Sequence, residues 1–343
     1  MRKGYKIVCN TASGRSRYMK LLIPFVLSCD IVDRYDLWVN TLNEDDLRFF
    51  ELLAKKYPKI NLMYIDDNKF NGIASIFGFY RHSMDNDTIY IKLDDDIIWM
   101  EPDAIKKMVD FRIEHPEYFI VSPLVINNAS GAYLLQNGRK IEFEEYLPAS
   151  MSFASAWCND RSAYGLLDWF YKKIQDDTYK DLYMGAKPIA MQRFSINMIL
   201  WFGKDLQSFK GIINKDDEEE LSVVIPANQG KANCINADVL VTHFAFTFQR
   251  IELDKTDILK KYEALILKGL CGEDVLHHYK EICPLIVEAK INKDINIPHY
   301  HDVRKKQKMT LKGFIGQISI PYTYYNISRL YNSFHEHIVK IKQ

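Results

Sequence analysis

Three consecutive carboxylates, Asp94, Asp95 and Asp96, stand between two apolar runs, Thr88 to Leu93 and Ile97 to Met100. Side chains on a strand alternate with period two, so Asp94 and Asp96 leave on one face and Asp95 on the other. Carboxylates this close repel: two unit charges about 4 Å apart cost on the order of 4 kcal/mol at an effective dielectric of ~20. Water at a strand end, a basic neighbour or a divalent cation offsets that cost. Hard cations such as Mg²⁺ and Mn²⁺ take carboxylate oxygens and bridge to phosphate. The stretch therefore reads either as a metal–phosphate site or as a solvated acidic turn after a buried strand.

A second acid run, KDDEEEL from Lys215 to Leu221, follows later in the chain. Acids favour the first turn of a helix, so the run also reads as a solvated helix start. His243 sits in VTHFAF on the strand Val239 to Phe246, as a structural residue or as a ligand. His299, His301 and Asp302 have a spacing that binds metal on a strand, but Pro298 marks a loop there. His335 and His337 lie two apart on a helix and do not share a face.

The elements that must position these groups follow from periodicity. Tyr5 to Cys9 is a strand, Asn10 to Arg15 (NTASGR) a turn of small polar residues, and Tyr18, Leu21, Leu22 and Phe25 a helical stripe that Pro24 kinks or shortens. Strand, small-residue turn and helix N-terminus together make an anion site. Tyr35 to Thr41 is the second strand. Asn43 caps the next helix, with acids in its first turn, Lys55 and Lys56 in its last, and Pro58 after it. Ile60 to Ile65 is the third strand, closed by Asp66 and Asp67. Ile73 to Arg81 is a short helix, Thr88 to Leu93 the fourth strand, and Tyr118 to Ile126 the fifth after a helix opened by Pro102. Alternating strands and helices predict a mainly parallel sheet covered on both faces. Ligands of such sheets bind beyond the carboxyl ends of the strands. The NTASGR turn, Asn40, Thr41, Asp66, Asp67 and the aspartate cluster all fall there.

Beyond the sheet the reading is coarser. Asn127 to Pro148 reads as loop and hairpin, Ser162 to Ile174 as an aromatic-rich helix, and Phe194 to Phe202 (FSINMILWF) as a short apolar helix. A further helix runs from Thr256 to Lys268, where Gly269 caps it.

The 343 residues are 48% hydrophobic and 26% charged, with 45 Lys plus Arg against 45 Asp plus Glu. That balance belongs to an ordinary globular chain and argues against bulk nucleic-acid binding. The six cysteines are widely spaced with no CxxC pair, which points to a reducing compartment. No apolar run precedes the first strand to act as a signal peptide, and none approaches the ~20 residues of a membrane span. The expected location is the cytoplasm, with the inner membrane face as a peripheral option.

Over residues 5 to 250 the chain resembles a GT-A glycosyltransferase, a family with a Rossmann-like sheet, a DxD motif, a later acidic "xED" segment and a late histidine. Asp94–Asp95–Asp96, Asp216 to Glu220 and His243 follow that order. DDEEELSVVIP and VTHFAFTFQR also look like segments of bacterial surface-polysaccharide transferases. The resemblance implies a metal-dependent transfer of sugar from a nucleoside-diphosphate sugar, a UDP-sugar, to a hydroxyl of a glycan or lipid-linked acceptor. It implies nucleotide contacts at Thr11, Ser13, Arg15, Asn40, Thr41, Asp66, Arg81, Asp94 and Asp95. It implies Mn²⁺ or Mg²⁺ held by Asp94, Asp96 and His243, and a base at Asp217 or Glu218. The run DDEEE departs from the family pattern and leaves both acids open, and no Gly-rich loop precedes it.

Two other readings share the fold: a sugar nucleotidyltransferase, of whose GxGTR-type opening NTASGRSR has only part, and a non-catalytic binding or scaffold protein. Residues 1–250 are expected to form the nucleotide-sugar and acceptor domain, and 251–343 a helical C-terminal region. There Arg304, Lys305, Lys306 and Lys308 precede an apolar stripe from Tyr324 to Ile341. Such a pairing lies on an anionic membrane surface, or packs on its own domain or a second subunit in a homo-oligomer.

Overall fold

The computed structural model describes residues 1–64, 69–70, 76–143, 146–149, 154–190, 192–213, 216–297 and 301–302. Asp66, Asp67, His299, His335, His337 and the basic and apolar stretches after residue 303 lie outside the described residues.

The first half alternates as its periodicity requires. Strand β1 (Lys6–Ser13) leads to helix α1 (Ser16–Leu27), β2 (Arg34–Val39), α2 (Glu44–Lys56), β3 (Ile60–Met63), the short β4 (Lys69–Phe70), a 3₁₀ turn (Phe77–His82) and β5 (Thr88–Leu93). Asn43 caps α2 by accepting from the backbone N–H groups of Asp45 and Asp46. Helix α1 continues through Pro24 to Leu27 and buries Tyr18, Leu21, Leu22 and Phe25. Each such side chain contributes roughly 1.5–3 kcal/mol by leaving water.

After β5 come β6 (Ile97–Met100), a helix Ala104–Glu114, β7 (Val121–Ile126), helices Ala129–Asn137 and Asp160–Gln175, β8 (Ala186–Ile189), β9 (Met198–Phe202) and β10 (Asn233–His243). The sheet order is β3-β2-β1-β5-β9-β7-β10-β6, with β8 on the free flank of β10. Strands β3, β2, β1 and β5 are parallel, as are β7 and β10. Strand β9 runs against both β5 and β7, and β6 and β8 run against β10. The fold class is thus mixed α/β with a Rossmann-like parallel half. A separate two-stranded pair joins β4 to β11 (His301–Asp302) in parallel.

Three expectations change. Phe194 to Phe202 contains a strand, not a helix: Met198 to Phe202 is buried on both faces at the sheet centre, and a short apolar run carries no period that separates the two. Asn127 to Pro148 contains the helix Ala129–Asn137, capped by the Asn128 side chain on Gly131 N. The aspartates lie between β5 and β6 in a tight turn, where Ile97 N donates to Asp94 O at 3.3 Å.

Helices Thr247–Leu253, Ile258–Leu267 and Glu273–Ile291 follow. Tyr262, Leu265 and Ile282 join the same apolar core as Ile7, Leu22 and Leu53. Lys20 pairs with Glu263, and Tyr57 donates to Glu281 at 2.9 Å, so these helices seat on α1 and α2. No helix among the described residues is long and apolar enough to cross a membrane.

Candidate active site

The parallel strands β1, β2 and β5 and the long β10 end at one edge of the sheet. The antiparallel β9 begins there, which brings Ile196 and Asn197 to the same place. The result is a cavity of about 490 Å³ lined by Ala12, Gly14, Arg15, Asn40, Ile76, Lys92, Asp94, Asp95, Asp96, Ile196, Asn197, Asp217, Glu218, His243, Ala245, Phe246, Thr247 and Arg250.

All three aspartates face it, because a turn rather than a strand carries them. Asp94 takes Lys92 on Oδ1 and the Asn197 amide on Oδ2 at 3.0 Å. Asp95 takes a two-pronged contact from Arg15, with Nε at 2.9 Å from Oδ2, and the Gly14 N–H at 3.2 Å. Asp96 takes His243 Nε2 on Oδ1 at 3.2 Å, and Arg250 on Oδ2 at 3.0 Å with Arg15 at 3.3 Å. Asp96 is held further by the backbone, its carbonyl accepting from Phe244 N at 2.8 Å. Burial pushes the Asp96 carboxyl up, but His243, Arg15 and Arg250 hold it well below the usual carboxylate range. Burial raises the Asp95 carboxyl despite Arg15. Lys92 loses solvation, yet Asp94 keeps its pKa raised.

Asp94, Asp96 and His243 each offer a ligand atom within 4.8 Å of the others. Two carboxylates and one imidazole suit a divalent cation, with Mn²⁺ accepting the imidazole better than Mg²⁺. This donor set fits a metal.

The second acid run also reaches the cavity, through Asp217 and Glu218. Asp216 caps a helix Asp217–Glu219 that passes through a π turn, Glu220–Val224, into Ile225–Gln229. Such π turns recur at functional sites. Asp217 accepts from Tyr80 OH at 2.9 Å. Glu218 accepts from Arg193 Nε at 2.8 Å, and Arg193 also holds Asp216 at 2.8 Å. Burial raises the Asp217 carboxyl against the pull of Lys92 and Tyr80. Burial raises Glu218 to about 7, with Arg193 opposing it.

Of the residues expected from sequence, Arg15, Asn40, Asp94, Asp95, Asp96, Asp217, Glu218 and His243 meet in this cavity. Four do not line it. Strand β1 runs to Ser13, longer than the expected Tyr5 to Cys9, so period two turns Thr11 and Ser13 away from the face of Ala12 and Gly14. Thr11 is buried against Tyr35 OH at 2.8 Å, and Ser13 Oγ donates to Thr11 O at 3.1 Å. Thr41 caps its own turn, accepting from Asn43 N at 3.1 Å. Arg81 is exposed on the 3₁₀ turn.

Sequence reading missed Lys92, Arg193, Asn197, Arg250 and Gly14. Asn197 was hidden by the helix expected over Phe194 to Phe202, and Arg193 lies just before that stretch. Arg250 closes the quoted segment VTHFAFTFQR, seven residues after His243 on the first helical turns after β10, where sequence alone assigns it no role.

No protein-family model and no curated protein matches this sequence. Solved structures similar to the chain include a CMP:2-keto-3-deoxy-manno-octonic acid synthetase complexed with CTP, at TM-score 0.40 and 10% identity, covering 76% of this chain and 100% of that one. Another is 4-diphosphocytidyl-2C-methyl-D-erythritol synthase, at TM-score 0.39 and 9% identity over 75% and 100%. A mycobacterial protein matches at TM-score 0.42 and 11% identity over 78% and 75%. At these values the matches place no residue and no ligand in this chain. The glycosyltransferase expectation is corrected at this point: the two named structures are a CMP:2-keto-3-deoxy-manno-octonic acid synthetase and a 4-diphosphocytidyl-2C-methyl-D-erythritol synthase, and neither name is that of a glycosyltransferase.

Proposed function

We propose that this chain is a metal-dependent sugar nucleotidyltransferase. The carrying observation is the meeting, in one cavity, of the Asp94–Asp96–His243 donor set, the cations Arg15, Lys92 and Arg250, and the acid Glu218. The cations suit a triphosphate, and guanidinium matches phosphate geometry. Beside them Asn40 Oδ1 is buried without a hydrogen-bond partner among the described residues and supplies an acceptor for a base N–H or a ribose hydroxyl.

In this reading a sugar or sugar-acid oxygen attacks the α-phosphorus of a nucleoside triphosphate. The new P–O bond forms as the bond from the α-phosphorus to the bridging oxygen breaks, and pyrophosphate leaves. Glu218 takes the acceptor proton; burial places its pKa at about 7, where a base is most effective at neutral pH. Asp217 stands as the alternative base. Asp94, Asp96 and His243 would hold the cation, Mn²⁺ or Mg²⁺, which when bound supplies charge neutralisation for the leaving group. Arg15 and Arg250 exchange their aspartate partners for phosphate oxygens as the nucleotide enters. Residues 1–250 hold both substrates in this proposal, and 251–343 form the supporting helical region. The free cysteines suit a reducing compartment such as the cytoplasm.

The test is pyrophosphate release from each of the four ribonucleoside triphosphates with Mn²⁺ or Mg²⁺ and a panel of sugar phosphates and acidic sugars. Release that needs triphosphate, cation and acceptor together supports the proposal. A silent panel overturns it.

A further inference from the structure

On the far side of the molecule, the helix Glu273–Ile291 brings together His277, His278 and Glu281. Positions 277 and 281 are one helical turn apart, and 278 and 281 are three apart, so both imidazoles lean over the same carboxylate. His277 Nε2 stands 3.6 Å from Glu281 Oε2 and His278 Nδ1 stands 3.7 Å from the same oxygen. One ligand atom from each residue lies within 4.8 Å of the other two. The two imidazole–carboxylate separations are close to the edges of a tetrahedron drawn around a cation with ligands at about 2.0–2.2 Å.

The surroundings fix this carboxylate. Tyr57, at the end of α2, donates its hydroxyl to Glu281 Oε2 at 2.9 Å. Lys56 stands 3.4 Å from the other oxygen, Oε1. The glutamate is thereby held with Oε2 facing the histidine pair, as an outer hydrogen bond orients a metal ligand. The Tyr57 ring also packs edge-on against His278, with centroids 5.9 Å apart. Most telling, His278 Nδ1 is buried as an atom and has no hydrogen-bond partner among the described residues. A ring nitrogen kept from water and from donors carries an uncompensated lone pair. A cation between the three groups would use it.

We propose that His277, His278 and Glu281 form a second metal site, separate from the cavity, for a Zn²⁺-class transition ion, with water completing the shell. Two imidazoles and one carboxylate select Zn²⁺, Ni²⁺ or Cu²⁺ over Mg²⁺ and Ca²⁺, which prefer oxygen alone. The site does not touch the transfer chemistry. All three ligands lie on the helix Glu273–Ile291, so occupancy raises stability by mass action, while Tyr57 and Lys56 carry the contact to α2 through Glu281. Lys56 brings a positive charge nearby, which places the site among moderate binders.

The test titrates Zn²⁺ by calorimetry into the full chain and into three variants, His277→Ala, Glu281→Gln and, as control, His243→Ala. Cu²⁺ paramagnetic resonance reads the ligands directly, because bound nitrogens split the signal. The expected result is one Zn²⁺ that survives His243→Ala and is lost in His277→Ala and Glu281→Gln, with a two-nitrogen Cu²⁺ spectrum that falls to one nitrogen in His277→Ala. Tyr57→Phe is expected to weaken Zn²⁺ roughly tenfold through loss of the orienting bond. His277 is 68% exposed, so its variant folds as the parent does. Zn²⁺ binding that is unchanged in His277→Ala and Glu281→Gln, or absent from the parent, overturns the proposal.

Discussion

Arg250 donates to Asp96 Oδ2 at 3.0 Å and to the Ala245 carbonyl at 2.9 Å, so one guanidinium ties the aspartate turn to the end of β10. With Arg15 on Asp95 and Lys92 on Asp94, each of the three aspartates carries its own cation. A metal ion arriving alone must displace one of them, whereas a metal arriving with phosphate offers the cation a new partner.

Arg250→Ala therefore separates two effects. Mn²⁺ alone is expected to bind several-fold tighter than in the parent, because a competing charge has gone. The Mn²⁺–nucleotide complex is expected to bind weaker, by roughly 1.5–3 kcal/mol for a lost charged hydrogen bond. Mn²⁺ paramagnetic resonance with and without nucleotide measures both. Equal weakening in both arms would make Arg250 a merely structural residue.

Glu218 gives a pH dependence with a defined sign. Its ordinary value of 4.5 is raised to about 7 by burial, with Arg193 pulling it back. Transfer is expected to rise with pH through about 7 as the base ionises. Arg193→Ala removes the opposing charge and moves the midpoint to higher pH. Stability runs the other way: an acid with a raised folded pKa lets the unfolded chain release its proton first, so stability falls as pH climbs from 4.5 to about 7. Glu218→Gln, with the side chain 15% exposed, is expected to be more stable than the parent above that window, by up to about 3 kcal/mol. Urea unfolding at a series of pH values reads it.

The same variant tests the role in transfer. Glu218→Gln is expected to lower turnover by about 10²–10⁴-fold with nucleotide affinity kept, as for a lost general base. Steady-state rates beside calorimetric binding show the split. Asp217→Asn is the paired control, and normal turnover in both variants makes the acid run a helix start only.

Gly14 joins sheet geometry to the site. A Cβ there would stand 2.9 Å from the Asn40 carbonyl oxygen and 3.7 Å from Asp95 Oδ2. Gly14→Ala is expected to cost roughly 1–3 kcal/mol of stability by overpacking and to weaken nucleotide binding with it. Thermal unfolding beside a nucleotide titration checks the pair.

The parallel half of the fold was legible because its elements are punctuated. Asn43 and its following acids start α2, Pro58 ends it, and alternating strands leave few other arrangements. The aspartates, Arg15, Asn40, Asp217, Glu218 and His243 were legible because strand ends of such a sheet converge. Thr11 and Ser13 were misplaced by the short reading of β1: four more strand residues turn polar side chains into the core, where Thr11 meets Tyr35. Strand β9 reads as a helix because MILWF is apolar throughout, and with it goes Asn197. The helix Glu273–Ile291 falls in the region expected to be helical, but its bounds were not legible, with Pro284 inside it where sequence rules expect a break.

The most direct test of the account follows phosphorus. The chain, Mn²⁺, the four ribonucleoside triphosphates and the acceptor panel are incubated together, and phosphorus NMR with mass spectrometry reads the products. The proposed transfer predicts an acceptor carrying one added nucleotidyl group, one pyrophosphate released for each, and loss of both in Asp96→Ala. A triphosphate that binds with Mn²⁺ in the cavity yet leaves every acceptor unmodified and every pyrophosphate bond intact would contradict it.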